Sequence, residues 1–503
     1  MRVLRFILIT FLLVSAFSVV FYYLYLRYNF YDDVFIYLNI AQNAVETGTW
    51  QYFPLVNRPA LLATSPIKIT VLTISSYIGN ILGFNERSLQ SAKMVLIING
   101  LISYIIWLPF WKRNFEIFLF LGIIYFVLAL SLNSIFEFEG GLLFLWIATL
   151  IYNLKIKQDY DQPSVSFLFA MGLFIRPEIT LPIVFVGLFY IITIKGMNAY
   201  FIHAIKSFAI LTLLWVLIAS FYKVWPIPVT YWAKSSLSTL FEDKHMIYYF
   251  FERLGRVSLK NINSQPEFYT LIGTLIVISF LLSFTKSTLS KIFSLILLLL
   301  YGFIYYKAPA NYWWYYENAL ILIIGASTGF VISDNIPLIG RPRLKKFLML
   351  YPASILLIVT IGSIFTDGPS MWSFKNPSRS QGYMYLATLA YRGVYNIDGI
   401  GYSFIKSPEI GITGYLSGKD GWIYDLGGLA QPLNLDSVQN SPIRFFYPKQ
   451  LRLDASQDIQ VLQQIHGRDF PIITVWAMED RDYDNAMRKC GMVNVEGALC
   501  ITW

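Results

Sequence analysis

Tyr31-Asp32-Asp33-Val34-Phe35-Ile36-Tyr37 follows the first apolar run of the chain, and the reading of this stretch decides the fold. Residues 6–26 are almost wholly apolar, which as a helix is long enough to cross a bilayer. The run exceeds the apolar core of a cleaved signal peptide and further apolar runs follow, so it reads as a retained anchor. Two adjacent carboxylates come six residues past its end, at the membrane face, where charge is costly unless paired or used.

Outward from there the composition agrees. Of 503 residues, 56% are hydrophobic and 17% aromatic, with a mean hydropathy of +0.55, the profile of a polytopic α-helical membrane protein. The net charge of +9 comes mostly from Lys and Arg in short loops between apolar runs. That is a topological signature rather than a phosphate-binding face, so nucleic acid is not an expected partner. No internal repeat is visible, which weighs against a transporter built from repeated halves.

Arg2 and Arg5 place the N-terminus in the cytoplasm and residue 27 outside. Residues 33–46 carry Val34, Leu38, Ala41 and Val45 on one face and Asn39, Gln42, Asn43 and Glu46 on another, the spacing of an interfacial helix. Residues 67–83 are long enough to span but contain Lys68, Thr70, Thr73, Ser75, Ser76 and Asn80. Charge parity decides their reading. Only if this run does not cross do Lys112-Arg113, Lys155/Lys157, Lys195/Lys206, Lys286/Lys291 and Arg341/Arg343/Lys345/Lys346 all fall on the cytoplasmic side. It is therefore expected as a second interfacial or re-entrant helix.

The remaining spans fall at 92–110, 115–133, 140–154, 164–175, 179–194, 207–223, 268–284, 292–306, 317–333 and 347–365, about eleven with the anchor. Residues 1–365 thus read as a transmembrane domain whose first external loop, 27–91, carries the interfacial helices. Residues 366–503 are richer in polar residues, Gly and Pro and contain no spanning run, so an external α+β domain is expected, with Pro471–Trp476 as a strand. Cys490 and Cys500 lie there, ten apart, and read either as a hairpin disulfide or as two buried thiols.

The same parity gathers Asp32, Asp33, Arg58, Glu137, Glu139, Arg176, Glu178, Lys234, Lys307 and Glu317 on one side. Carboxylates suit a general base or a metal, and Arg and Lys suit a phosphate leaving group. His203, His245 and His466 share no ligand-like spacing, which argues against a histidine metal site or a Ser-His-Asp arrangement. Bland readings stand beside these. Asp32 or Asp33 suits the N-cap of the helix that starts there, Glu139 suits the cap of one starting at Gly140, and Arg176-Pro177-Glu178 suits a turn with Pro in the first helical position. The tract Asn311–Tyr316, with Trp313, reads as an aromatic belt or as a stacking surface for a sugar.

The acidic pair and amphipathic helix, Asp32-Asp33-Val-Phe-Ile-Tyr-Leu-Asn-Ile-Ala-Gln-Asn, resemble the pattern Asp-Asp-Ala-Phe-Ile-x-x-Arg-Tyr-Ala-Arg-Asn of GT-C membrane glycosyltransferases, narrowly the mycobacterial terminal arabinofuranosyltransferase and pilin arabinosyltransferase group. Further along, Thr64-Ser65-Pro66, Glu139-Gly-Gly-Leu142, Arg176-Pro177-Glu178, Pro226–Lys234, Glu409–Tyr415 and Tyr424–Leu429 are similar to elements of that family in the same order. Asn39 stands where the family has Arg, and Val229 where it has Asn.

The resemblance implies a polyprenyl-phosphate-linked sugar donor, best matched by arabinofuranose. It also implies transfer on the periplasmic face of a bacterial inner membrane to a glycan, a lipid-linked glycan or a pilin-like protein. It implies Asp33 as base with Asp32, Glu139 and Glu178 as supporting or rival acids, and Arg58, Arg176 and Lys234 around the leaving phosphate. Tyr231, Trp232, Trp313 and Glu317 are then substrate-binding candidates, and Asp32 with Asp33 would hold any divalent cation, Mg or Mn. Asp32, Asp33, Arg176 and Lys234 are accordingly expected to share one pocket beside the headgroups. The rivals are a hexosyl- or aminoarabinosyl-transferring relative of the same class and a flippase or transporter of lipid-linked sugars.

Overall fold

A computed structural model describes residues 2–26, 32–129, 135–156, most of 163–229, and 313–335, 403–407, 410–425, 455–466 and 473–474. The spans expected at 268–284, 292–306 and 347–365 lie outside the described residues, as do both cysteines, Glu178, Tyr231, Trp232 and Lys234. What is described is mostly helical. In chain order the helices are α1 (Arg2–Leu26), α2 (Asp32–Thr47), α3 (Pro66–Ile81), α4 (Leu89–Ile105), α5 (Phe115–Ala129), α6 (Gly140–Ile156), α7 (Pro163–Ile175), α8 (Asn198–Phe221), α9 (Trp313–Asn335), α10 (Gly411–Ser417) and α11 (Ala455–His466). The strands are β1 (Ser403–Ser407), β2 (Gly421–Asp425) and β3 (Ile473–Thr474).

The chain divides into two compact units. The first comprises Met1–Arg27, Leu96–Leu213 and Asp243–Lys375; the second comprises Tyr28–Val95, Leu214–Glu242 and Asn376–Trp503. The sequence boundary at 365/366 is thus only part of the division: the first external loop, assigned from sequence to the membrane domain, clusters with the C-terminal residues.

In the first unit the helices are apolar on nearly every side, and they pack through aromatic and small residues. From Phe118 to Ala129 every side chain of α5 is buried, and Phe126 meets Phe17 of α1 edge-on at 5.4 Å. The Trp146 indole of α6 donates to the Leu168 carbonyl of α7 at 2.7 Å. The tightest contact is between α6 and α9. A Cβ added at Gly325 would meet the Phe144 carbonyl at 2.9 Å, and one at Gly329 the Ala148 carbonyl at 3.0 Å. Glycine four residues apart lets the two backbones touch, the device by which helices associate where burial of apolar surface supplies no drive.

Among the described residues two helices are long and apolar enough to cross a membrane, Leu89–Trp111 and Phe201–Phe221, and Ile9–Tyr22, Phe115–Ala129, Gly140–Leu154, Pro163–Ile175 and Ile321–Ser333 are shorter apolar ones. Along α8, Ile202, Ile205, Leu213, Leu217 and Phe221 are all exposed. So continuous an apolar surface is costly in water and suits a lipid environment.

In the second unit, Ser65 caps α3 by accepting from the Lys68 amide at 3.1 Å, with Pro66 in the first turn. This helix is amphipathic the wrong way round for water. Lys68, Thr73, Ser75 and Ser76 are buried beside Ile69, Val71 and Leu72, whereas Ile74, Tyr77, Ile78 and Ile81, with Leu82 at its end, are exposed. An interfacial helix with its apolar face toward lipid has this arrangement. Trp50 is fully buried, stacked on Tyr222 at 4.2 Å and on Trp215 at 5.7 Å, and its indole donates to Thr73 at 2.8 Å.

The strands form one sheet in the order β2-β1-β3, both pairs parallel. Parallel neighbours need a crossover, and α10 fills the one between Ser407 and Gly421. Among the described residues of the tail, which was expected as α+β, helices and strands both occur, and β1, α10 and β2 form a βαβ unit. The strand expected at Pro471–Trp476 is present as Ile473–Thr474.

Candidate functional site

In the second unit α2 begins at Asp32, so the acidic pair occupies a helix N-terminus, where backbone amides and the helix dipole favour negative charge. That accords with the capping reading without excluding the catalytic one. Asp33 is half-buried and engaged by a neighbour. Past it the helix is enclosed on all sides: Val34, Leu38 and Ala41 are buried, and so are Asn39, Gln42 and Asn43. The polar face read as interfacial is therefore an internal one.

What it faces is Arg87. The guanidinium donates through Nε to Glu46 Oε1 at 2.9 Å, through Nη1 to Asn39 Oδ1 at 2.6 Å and to the Tyr415 carbonyl at 3.1 Å, and through Nη2 to Asn43 Oδ1 at 2.5 Å and Glu46 Oε2 at 3.0 Å. The two asparagines turn their amides the other way, Asn39 to the Tyr52 carbonyl at 3.4 Å and Asn43 to the Gln51 carbonyl at 2.8 Å. Every donor of the planar fork is used, the geometry for which Arg and not Lys is suited.

Around this network the chain gathers segments far apart in sequence. The Tyr37 hydroxyl lies 2.8 Å from Thr64 Oγ1 and accepts from the Thr64 amide at 3.1 Å. Tyr415 of α10 packs against Phe35 at 5.6 Å and lies under the Arg87 guanidinium at 5.8 Å. Tyr52 donates to the Ile410 carbonyl at 2.5 Å, and Gly414 presses so closely on the Tyr52 ring that a side chain there would collide with it. Val229 and Trp225 donate backbone bonds to the Leu61 and Pro59 carbonyls, each at 2.9 Å. Four segments singled out in the sequence, at Asp32–Asn43, Thr64–Pro66, Pro226–Val229 and Glu409–Tyr415, thus meet in one unit.

Arg58, expected at a leaving phosphate, is buried and donates to Asp458 Oδ1 through Nε at 3.2 Å and Nη2 at 2.5 Å, while Trp422 donates to Asp458 Oδ2 at 3.2 Å. A carboxylate already balances its charge.

In the first unit Glu139 stands at the N-cap of α6: its carbonyl accepts from Leu143 at 2.9 Å, and its carboxylate Oε2 accepts from Arg176 Nη1 at 2.6 Å. Both side chains are buried, 1% and 3% exposed, so the pair is held without water. Arg176 ends α7 and starts the next turn, its carbonyl accepting from Ile179 and Thr180, with Pro177 in the first helical position as the turn reading expected. Glu137 is buried close by in sequence. Arg176 and Glu139 are thus brought together, whereas Asp32 and Asp33 belong to the other unit. Trp313 and Glu317 both lie in the first turns of α9.

Sequence reasoning missed Arg87 and Asp458. Arg87 sits in the polar link between α3 and α4 and Asp458 in the tail, and neither carries a local motif. Among the described residues no group of three or more His, Cys, Asp or Glu side chains is gathered as a metal would need, so no step is routed through an ion here. Compared with protein-family models, characterised proteins and solved structures, the chain matches none.

Proposed function

We propose that the protein is a membrane glycosyltransferase that moves a sugar, arabinofuranose on the best motif match, from a polyprenyl-phosphate carrier to an acceptor on the external face of a bacterial inner membrane. The observation that supports this reading is the convergence on α2: Thr64 and Tyr415, from two other segments of the glycosyltransferase-like pattern, bond to or pack against the helix that starts at Asp32-Asp33, and a third, Pro226–Val229, is bonded to the chain at Leu61. A buried network that fixes one helix with such care holds its terminal carboxylates in a defined place, as a reacting group requires. The inverted amphipathicity of α3 supports the same depth: a prenyl chain stays in the bilayer, so its phosphate must react at the interface.

In this reading an acceptor hydroxyl attacks the anomeric carbon while Asp33 takes its proton, and the anomeric C–O bond breaks to release polyprenyl phosphate. Asp32 supports Asp33. Because Arg58 and Arg176 are each paired with a carboxylate, they act as positioning groups, and Lys234 is the better candidate for the leaving phosphate.

The test is transfer of radiolabelled sugar from a polyprenyl-phosphate donor in membranes with matched protein levels. Asp33→Asn is expected to lower turnover by about 10²–10⁴-fold, the span ascribed to a positioned base. Near-normal turnover in Asp33→Asn and Asp32→Asn alike leaves the pair as a helix cap and ends the catalytic assignment.

A further inference from the structure

A polar cleft of about 300 Å³ opens in the second unit, and it holds none of the residues assigned to sugar transfer. Residues 47–57, the turn at Lys223 and the pair Lys419-Asp420 line it. Thr47 is the last residue of α2 and Asp33 is near its start, so about 21 Å of helix separates them. A phosphate and the sugar it carries do not reach so far, which makes the cleft a separate place from the acidic pair.

The backbone around the cleft is held in conformations that side chains disfavour. Among the described residues two non-glycines have a left-handed φ, Asn57 at 49° and Lys223 at 58°, and both line it. Asparagine visits that region routinely, and lysine does not. The Lys223 amide donates to the Ser220 carbonyl and the Val224 amide to the Ala219 carbonyl, each at 3.0 Å, the paired bonds that usually end a helix on glycine. The strained turn is clamped from residues 49–51. Gln51 Nε2 donates to Asn57 Oδ1 and to the Lys223 carbonyl, both at 3.0 Å, and the Tyr222 carbonyl accepts from the Trp50 amide at 3.0 Å and the Thr49 hydroxyl at 2.8 Å. Glycine would close this turn at lower cost, so the strain points to a use for the lysine side chain.

That side chain brings a cation with no partner of its own. Among the described residues no hydrogen bond or ion pair engages the side chains of Lys223, Lys419 or Asp420. Two ammonium groups against one carboxylate leave one positive charge in surplus, which suits a ligand with one negative charge. Beside it the Asp420 carboxylate can accept from a hydroxyl and the Asn57 amide can donate to one. The place of the cleft along α8 favours a lipid as the source. Leu214, Leu217 and Phe221 are exposed on its last turns, Lys223 follows by two residues, and Trp225 is exposed just beyond. Aliphatic, then aromatic and lysine is the order along a helix that leaves a bilayer, with the lysine at headgroup level. We propose that the cleft binds the head of an anionic phospholipid, a phosphodiester with a hydroxylated substituent, whose phosphate Lys223 and Lys419 share. The site does not depend on the transferase reading, and either can fail without the other.

The experiment uses the full chain in neutral detergent with three probes: micelles carrying phosphatidylglycerol, micelles carrying the zwitterionic phosphatidylcholine, and soluble glycerol phosphate. Phosphatidylglycerol should raise the melting temperature of the wild type saturably, and the other two should not. Lys223→Gly should weaken the apparent affinity about fivefold, the worth of one lysine at an anionic surface, while its melting temperature without lipid holds or rises as the left-handed φ is relieved. Lys419→Gln should weaken it by a similar factor and leave the lipid-free protein unchanged. Lys206→Gln, on α8 but outside the cleft, controls for general attraction to anionic micelles and should bind as the wild type does. No shift with phosphatidylglycerol overturns the inference, as does an equal shift with phosphatidylcholine or glycerol phosphate. So does an equal loss in Lys206→Gln, or wild-type affinity in either cleft variant. If Lys223→Gly melts lower without lipid and keeps the lipid shift, the lysine serves the turn alone and the site fails.

Discussion

The two units treat a buried arginine in opposite ways. Arg87 spends all its donors on oxygens supplied by α2 and α10, and those oxygens belong to groups that are themselves satisfied. Arg176 donates to the Glu139 carboxylate at 2.6 Å with both side chains buried, and in the same unit Asn99, Asn153 and Asn318 keep unsatisfied atoms. A saturated network specifies a structure. By this contrast Arg87 is a fork whose five donors fix the path of α2, whereas Glu139 and Arg176 are a buried pair that ties the start of α6 to the end of α7.

The largest effect should come from breaking the pair of the first unit. Arg176→Met strands a buried carboxylate and is expected to cost about 3–5 kcal/mol in the unfolding free energy of the solubilised protein. Replacing both partners, Glu139→Leu with Arg176→Leu, should cost less than the single change. A double variant that is the less stable one would mean that the pair stabilises the fold as the fork does, and the contrast would disappear.

A smaller loss tests the other side. Arg87→Lys keeps the charge but cannot present the fork to Asn39, Asn43 and Glu46 together, and about 2–3 kcal/mol of stability should go with it. Wild-type melting in Arg87→Lys would remove the role given to the fork.

The mildest effect concerns alkaline pH. Burial, with the neighbouring Tyr77, pushes the Tyr222 phenol from 10.0 up to about 12. The fold therefore favours the neutral form, and its contribution is whole below pH 10 and lost as the pH climbs through about 12. A melting temperature that falls in that window in the wild type and less in Tyr222→Phe is the expected outcome.

Much of the helical layout was legible because apolar run length and periodicity are local. The anchor read at 6–26 is α1, the interfacial helix read at 33–46 is α2, and the spans read at 115–133, 140–154 and 164–175 are α5, α6 and α7 with ends shifted by a few residues. Glu139 and Arg176, singled out in the sequence for separate roles and with 36 residues between them, prove to be partners. What could not be read was who satisfies whom across hundreds of residues. Nothing near Arg58 announces Asp458, and nothing near Arg87 announces Tyr415, because a buried polar group takes its partner from whichever element the packing delivers. Nor could the strand pairing be read: five-residue strands alternate alike whether their neighbours run with them or against them.

The close approach of Gly325 and Gly329 to Phe144 and Ala148 also sets a polarity: the contacts advance together along both helices, so α6 and α9 point the same way, and Gly140 at the start of one lies at the same end of the pair as the first turn of the other.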